Sequence, residues 1–132
     1  MQEKFDDIRP YYTSEIHPAM QRIADSEHFG ILSRYIFPEK DVEEVRNMVR
    51  NIRTTEEFQT EVMSIVNRQF VARSMTNLSV EGIDRIDPQK RYLFVSNHRD
   101  IMLDSSLLQY ILHSNNLRTS EITFGSNLMN PQ

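Results

Sequence analysis

The chain has 132 residues, room for one domain or for a small domain plus part of another. Its 39% hydrophobic and 26% charged residues, with 3 glycines and 5 prolines, exclude a disordered or fibrous polypeptide. A net charge of -4 gives no basic footprint for nucleic acid, and the absence of cysteine excludes disulfides, thiolate catalysis and Cys-based zinc sites.

The first half reads as helices. Ile16, Ala19, Met20 and Ile23 recur at helical spacing, and Pro18 is tolerable there only within a first turn. Phe29, Ile31, Leu32, Tyr35 and Ile36 predict a second short helix, weakened by Gly30. Pro38 is expected to open a third, with Asp41, Glu43 and Glu44 early and arginines late, as the helix dipole prefers. Its apolar stripe is Val42, Val45, Met48, Val49 and Ile52, and Arg46, Arg50 and Arg53 read as a solvated face. Thr54 and Glu57 form a T-x-x-E capping box before a fourth helix bearing Phe58, Val62, Ile65, Val66 and Phe70.

Near Arg73 the pattern changes. Leu78, Val80 and Gly82 suggest a short extended segment, and Asp87-Pro88-Gln89-Lys90 a turn. Tyr92-Leu93-Phe94-Val95 has the composition of a strand buried on both faces. A polar turn follows, then a helix from about Ser105 to His113, then a second strand over Glu121-Ile122-Thr123-Phe124 ending at Gly125. The fold class expected is therefore α+β: a helical region over 1–75, then over 76–132 the first strands and helix of an α/β domain. So small a sheet cannot close a core, which predicts that the chain is an N-terminal fragment.

The acidic start, Met1 to Asp7, lacks the apolar stretch of a signal peptide, and apolar runs fall far short of the roughly 20 residues that span a bilayer. A cytoplasmic chain is expected. The scattered histidines, His17, His28, His98 and His113, have no two-ligand spacing, so no metal is expected.

His98 follows the apolar run at what would be the carboxyl end of a strand, where α/β sheets bind ligands. Carboxylates stand two and six positions later, Asp100 and Asp104. A neutral imidazole can take a proton from an alcohol while a carboxylate orients its other nitrogen. The same residues also read blandly, with Asn97 or Asp104 as a helix N-cap, Asp100 in a first turn and His98 as a polar turn residue. The two readings are compatible.

His98-Arg99-Asp100 matches the start of the protein-kinase catalytic loop, but that pattern needs an asparagine where Ser105 stands, and the three glycines, at 30, 82 and 125, cannot form a G-x-G-x-x-G loop. The string from Leu93 to Asp104 instead resembles the glycerolipid acyltransferase superfamily, whose first motif is N-H-x-x-x-x-D after a buried strand. Val80-Glu81-Gly82-Ile83 is similar to the approach to that strand, and Phe124-Gly125-Ser126-Asn127-Leu128 to the A-G-x-N-L block of the glycerol-3-phosphate branch. Phe5 to Tyr12 resembles the leader of bacterial members. One departure stands out: the family aspartate position holds Leu103, and Asp104 comes one residue late. On a regular helix six positions advance about 240°, so the pair meets only if His98 precedes the helix. Asp104 is the expected partner and Asp100 the fallback.

The resemblance implies acyl transfer from acyl-CoA or an acyl-carrier protein to a glycerol-phosphate-type hydroxyl, in phospholipid synthesis. His98 would be the base and Asp104 its orienter, with Arg99, Gly125, Ser126 and Asn127 binding substrate, no cofactor, and peripheral contact with the cytoplasmic face of the inner membrane. The family's later motifs have no counterpart here, so the 132-residue chain by itself is expected to be inactive. Two other readings remain: an acyltransferase for another hydroxyl or amine acceptor such as an amino-acid lipid, and a non-catalytic membrane-docking or interaction module.

Overall fold

The computed structural model describes residue 6, residues 8–123 and residue 125. These fall into two compact units, one made of the described residues up to Phe58 together with Ile122, Thr123 and Gly125, the other of Gln59–Glu121.

The first unit is a set of three packed helices. Helix α1 spans Thr13–Asp25, α2 Phe29–Ile36 and α3 Val42–Asn51. Each has a stripe of apolar residues, and the stripes meet: Ala24, Phe29, Val45 and Ile52 are all at most 4% exposed. Burying a Val or Ile side chain contributes about 1.5–3 kcal/mol, so this stripe is what orders the unit. Helix α1 starts where Glu15 folds back to accept from the Tyr12 N–H at 2.7 Å while its own N–H donates to the Tyr12 carbonyl at 2.9 Å. Arg9 holds the same carboxylate with two nitrogens, at 2.7 and 2.8 Å. That pairing, with the Tyr12 N–H, draws the Glu15 carboxyl down to about 2 from its ordinary value.

Two expectations are corrected here. Pro18 lies inside α1, beyond its first turn, and so denies the Ser14 carbonyl its usual partner. Ser14 is exposed, where water can take that bond. Pro38 sits in the turn before α3; the cap is Asp41, whose side chain accepts from the Glu43 N–H at 2.8 Å. The arginines of α3 are spent within the unit. Arg46 bonds the Ala24 carbonyl, pairs with Glu43 at 3.0 Å and lies over the Phe29 ring, and Arg50 pairs with Asp25. His17 also has a structural partner, its Nδ1 lying 3.2 Å from the Ile52 carbonyl at the end of α3. The capping box forms as expected at the start of α4, Thr55–Phe58, with Glu57 N–H donating to Thr54 Oγ1 at 3.1 Å and Thr54 N–H to Glu57 at 3.2 Å.

The second unit opens with a π-helical segment, Gln59–Met63, and continues as α5, Ser64–Ser74. A 3₁₀ turn covers Ile83–Arg85, and α6 spans Leu103–Ser114 and packs on α5. Val62, Asn67, Gln109 and Leu112 are buried. Gln109 anchors the returning chain: its amide donates to the Ser120 carbonyl at 2.6 Å and accepts from the Ser120 N–H at 3.0 Å. Asn116, at φ 56°, closes α6 in the left-handed conformation, letting the Leu117 N–H reach the Leu112 carbonyl at 2.9 Å.

The expected α+β fold is overturned, because the described residues contain helices and no strand. Leu78 to Val80 are irregular, and Gly82 takes φ 79° to open the 3₁₀ turn. Tyr92-Leu93-Phe94-Val95, read as a buried strand, is exposed throughout, with Leu93 at 90% and Val95 at 86%. A strand exists only by exchanging backbone hydrogen bonds with a neighbour, and no described segment lies alongside to exchange them. Glu121 to Thr123 are likewise exposed and irregular, and Phe124 lies outside the described residues. No described helix is long and apolar enough to cross a membrane.

Candidate functional site

The 98–104 turn belongs wholly to the second unit and is built by two carboxylates. From Arg91 to Met102 every residue is exposed, so burial cannot dictate this backbone. Asp100 does part of it: Oδ1 accepts from the N–H groups of Met102 and Leu103, each at 2.8 Å. This turn leads the chain into α6, whose cap position is Met102, and it satisfies two N–H groups that a helix start leaves without partners. The expectation that Asn97 or Asp104 would cap the helix is therefore corrected: the cap position is Met102, which has no side-chain cap bond, and Asp100 supplies the side-chain acceptor from two residues earlier.

Asp104, in the first turn of α6, does the rest. Its Oδ2 accepts from the Arg99 N–H at 2.6 Å and the Asp100 N–H at 3.0 Å, and lies 3.0 Å from His98 Nδ1. One oxygen thus gathers the two residues after the histidine and the histidine itself. The surplus residue relative to the family spacing is absorbed because His98 stands five positions before α6 begins. Asp100, the fallback partner, makes no hydrogen bond to His98 among the described residues.

Both carboxyls are held below the usual aspartate range. For Asp104 the causes are the N–H of Asp100, then that of Arg99, opposed by partial desolvation, with His98 adding a smaller pull. For Asp100 they are the N–H groups of Leu103 and then Met102, opposed by desolvation and by the neighbouring Asp104 charge. Asp104 therefore stays an acceptor at neutral pH. In the tautomer it selects, His98 donates from Nδ1 and keeps a lone pair on Nε2. The ring is 70% exposed, and Nε2 has no partner among the described residues. An acceptor nitrogen open to solvent, on a ring fixed by an ionised carboxylate, is the arrangement a general base requires.

Arg99 contributes its N–H to the turn and leaves its guanidinium without a hydrogen bond among the described residues. Gly125 is exposed. Ser126 and Asn127 lie outside the described residues. Sequence reasoning missed the two backbone donors to Asp104, which no side-chain pattern encodes. It also missed the Gln109–Ser120 clamp, for which a glutamine on the apolar face of α6 was the available signal.

Compared with known proteins, the chain matches no family model, no curated relative and no solved structure.

Proposed function

We propose that the 98–104 turn is the general-base element of an acyltransferase that moves a fatty acyl group from a thioester to the hydroxyl of a glycerol-phosphate-type acceptor. The observation that supports this reading is the 3.0 Å contact between His98 Nδ1 and Asp104 Oδ2, in a turn whose residues resemble the acyltransferase motif. His98 Nε2 takes the acceptor's proton as its oxygen attacks the thioester carbonyl. The C–S bond then breaks, the ester C–O bond remains, and the proton passes from the imidazolium to the departing thiolate. Asp104 holds the ring and stabilises its positive form. Substrate covering the turn would exclude the water that now surrounds it, strengthening that charge pairing. A lipid-like product implies work at a membrane surface.

The test follows acyl transfer from acyl-CoA to glycerol 3-phosphate by the protein as made in its own organism. General-base help is worth about 10²–10⁴ in rate, so His98→Ala should lose turnover by that factor, and Asp104→Asn should lose much of it. Transfer undiminished in His98→Ala ends the proposal. A check on the isolated chain is the ¹⁵N spectrum of His98, which should report a proton on Nδ1 in the neutral ring and lose that bias in Asp104→Asn.

A further inference from the structure

A second polar site lies at the other end of α6. The faces of α5 and α6 enclose an open cleft of about 230 Å³, lined by Ser64 and Arg68 from α5 and by Tyr110, His113 and Ser114 from α6. Residues three and four apart share a helix face, so Ser64 and Arg68 form one row and the α6 residues the other. We propose that this cleft binds a small phosphate monoester, held between Arg68 and His113.

The lining selects the ligand by charge, donors and size. Among the described residues no carboxylate lines the cleft, and every lining residue carries a hydrogen-bonding group. An apolar ligand would leave these groups without partners, although the Tyr110 ring and the Arg68 stem add apolar surface that a small organic backbone could touch. A metal ion finds a single imidazole and no acidic ligand, which is too little to hold it. The volume falls below the roughly 300–1,000 Å³ of sites for larger organic ligands, which points to a small one.

Arg68 is uncommitted, as is Arg99, and of the two it is Arg68 that lines a cleft. Arg9 is occupied by Asp6 and Glu15, Arg46 by Glu43 and Arg50 by Asp25, whereas neither the Arg68 guanidinium nor the His113 imidazole makes a hydrogen bond or ion pair among the described residues. A guanidinium fork satisfies two oxygens of an oxyanion side by side. The remaining donors, the imidazole, the phenol and two hydroxyls, exceed what a carboxylate could use and suit the third terminal oxygen of a phosphate. Ser64 and Ser114 donate at present to the carbonyls of Thr60 and Tyr110, both at 2.6 Å. Such bonds to the preceding turn are a weak default, and the hydroxyl can swing to a better acceptor. The carbonyl end of α6 works against an anion, so Arg68 must supply most of the attraction.

Nine positions separate Asp104 from His113, about 14 Å along the helix, so this site is not the His98 turn and does not depend on the acyl-transfer reading. The phosphate could be carried by a soluble metabolite or a lipid headgroup, and two arms of one experiment separate them. The whole chain, ¹⁵N-labelled, is titrated with glycerol 3-phosphate and, separately, mixed with phosphatidylcholine vesicles containing phosphatidic acid. The expected result is a saturable change at the amides of Ser64, Arg68, Tyr110 and His113, at least tenfold weaker in Arg68→Gln and reduced in His113→Gln. A response to glycerol 3-phosphate assigns a soluble ligand, and a response to vesicles alone assigns a headgroup. No saturable response in either arm, or one undiminished in both variants, overturns the proposal. Both side chains are exposed, so their replacement should leave the far-ultraviolet circular dichroism unchanged.

Discussion

In the α1–α3 unit, Val45 and Ile52 are each 1% exposed, while in the 91–102 segment of the second unit Leu93 is 90% exposed and its neighbours are open to water. The first region is ordered by apolar side chains that have only one way to leave solvent. The second is ordered by the acceptor oxygens of Asp100 and Asp104, which collect the N–H groups and the imidazole of residues 98–103. A backbone held by burial resists pH and yields to lost volume. A backbone held by carboxylates does the reverse. For a site that must meet a substrate in solution the second arrangement has a use: the reacting nitrogen stays accessible while its ring is still oriented.

The sharpest contrast comes from one chemical change made in both regions. Ile52→Ala should destabilise the first unit by about 2–5 kcal/mol, since it leaves a cavity in a filled core. Leu93→Ala should shift stability by no more than about 0.5 kcal/mol, because nothing packs on that side chain. Urea denaturation of both variants measures the difference. A loss at Leu93 comparable to that at Ile52 would mean the exposed run is packed in solution, and the comparison would break.

Gly82→Ala comes next. At φ 79° a Cβ is strained, which costs about 1–2 kcal/mol. The added carbon would also stand 2.8 Å from the Arg85 guanidinium, which can move aside. The same denaturation series should show a loss of that size. A neutral result would mean the turn before the exposed segment is not left-handed in solution. In the opposite direction, Ser33→Ala should stabilise the first unit by roughly 1 kcal/mol. Its hydroxyl is buried with no partner among the described residues, and removing an unpaired buried polar group recovers its desolvation cost. A loss on Ser33→Ala would show that the hydroxyl is bonded after all.

What could be read from the residues follows the same division. Helical periodicity located α1, α2, α3, α5 and α6, because a helix satisfies its own backbone and needs neighbours only for its apolar face. Thr54 with Glu57 announced its cap for an equally local reason. The strand expected at Tyr92 to Val95 failed because a strand's bonds lie in another segment, and composition cannot say whether that segment exists. Pro18 was misjudged since an exposed carbonyl can turn to water, something a rule about helix interiors does not weigh. At the candidate site, residue types and spacing left Asp100 and Asp104 both open as partners of His98, and the resemblance to the acyltransferase motif is what favoured Asp104, the carboxylate that lies 3.0 Å from the ring. The Arg99 and Asp100 amides that position Asp104 were not legible, because backbone donors carry no letter of their own.

The smallest effect expected is local and tests the carboxylate half of the comparison directly. Asp100 and Asp104 both titrate below the ordinary aspartate value of 3.8 in the folded chain. A depressed folded value means the ionised form is favoured by folding. The stabilisation is thus fully present above the unfolded value and disappears as pH falls through the folded one. Protonation removes the charge that draws in the Arg99, Asp100, Met102 and Leu103 amides, so the turn should loosen in acid. The α1–α3 core contains no buried carboxylate among the described residues and should persist, apart from the start of α1, where Glu15 titrates at about 2. Amide hydrogen exchange followed from neutral pH down to about pH 1.5, low enough to protonate carboxylates held below the ordinary aspartate value, tests this. After correction for intrinsic exchange chemistry, Arg99 and Asp100 should lose protection while Val45 and Val49 keep theirs. Simultaneous loss at all four amides would tie the turn to the global unfolding of the chain. Full protection at Arg99 in acid would mean that something other than the Asp104 carboxylate holds the histidine turn.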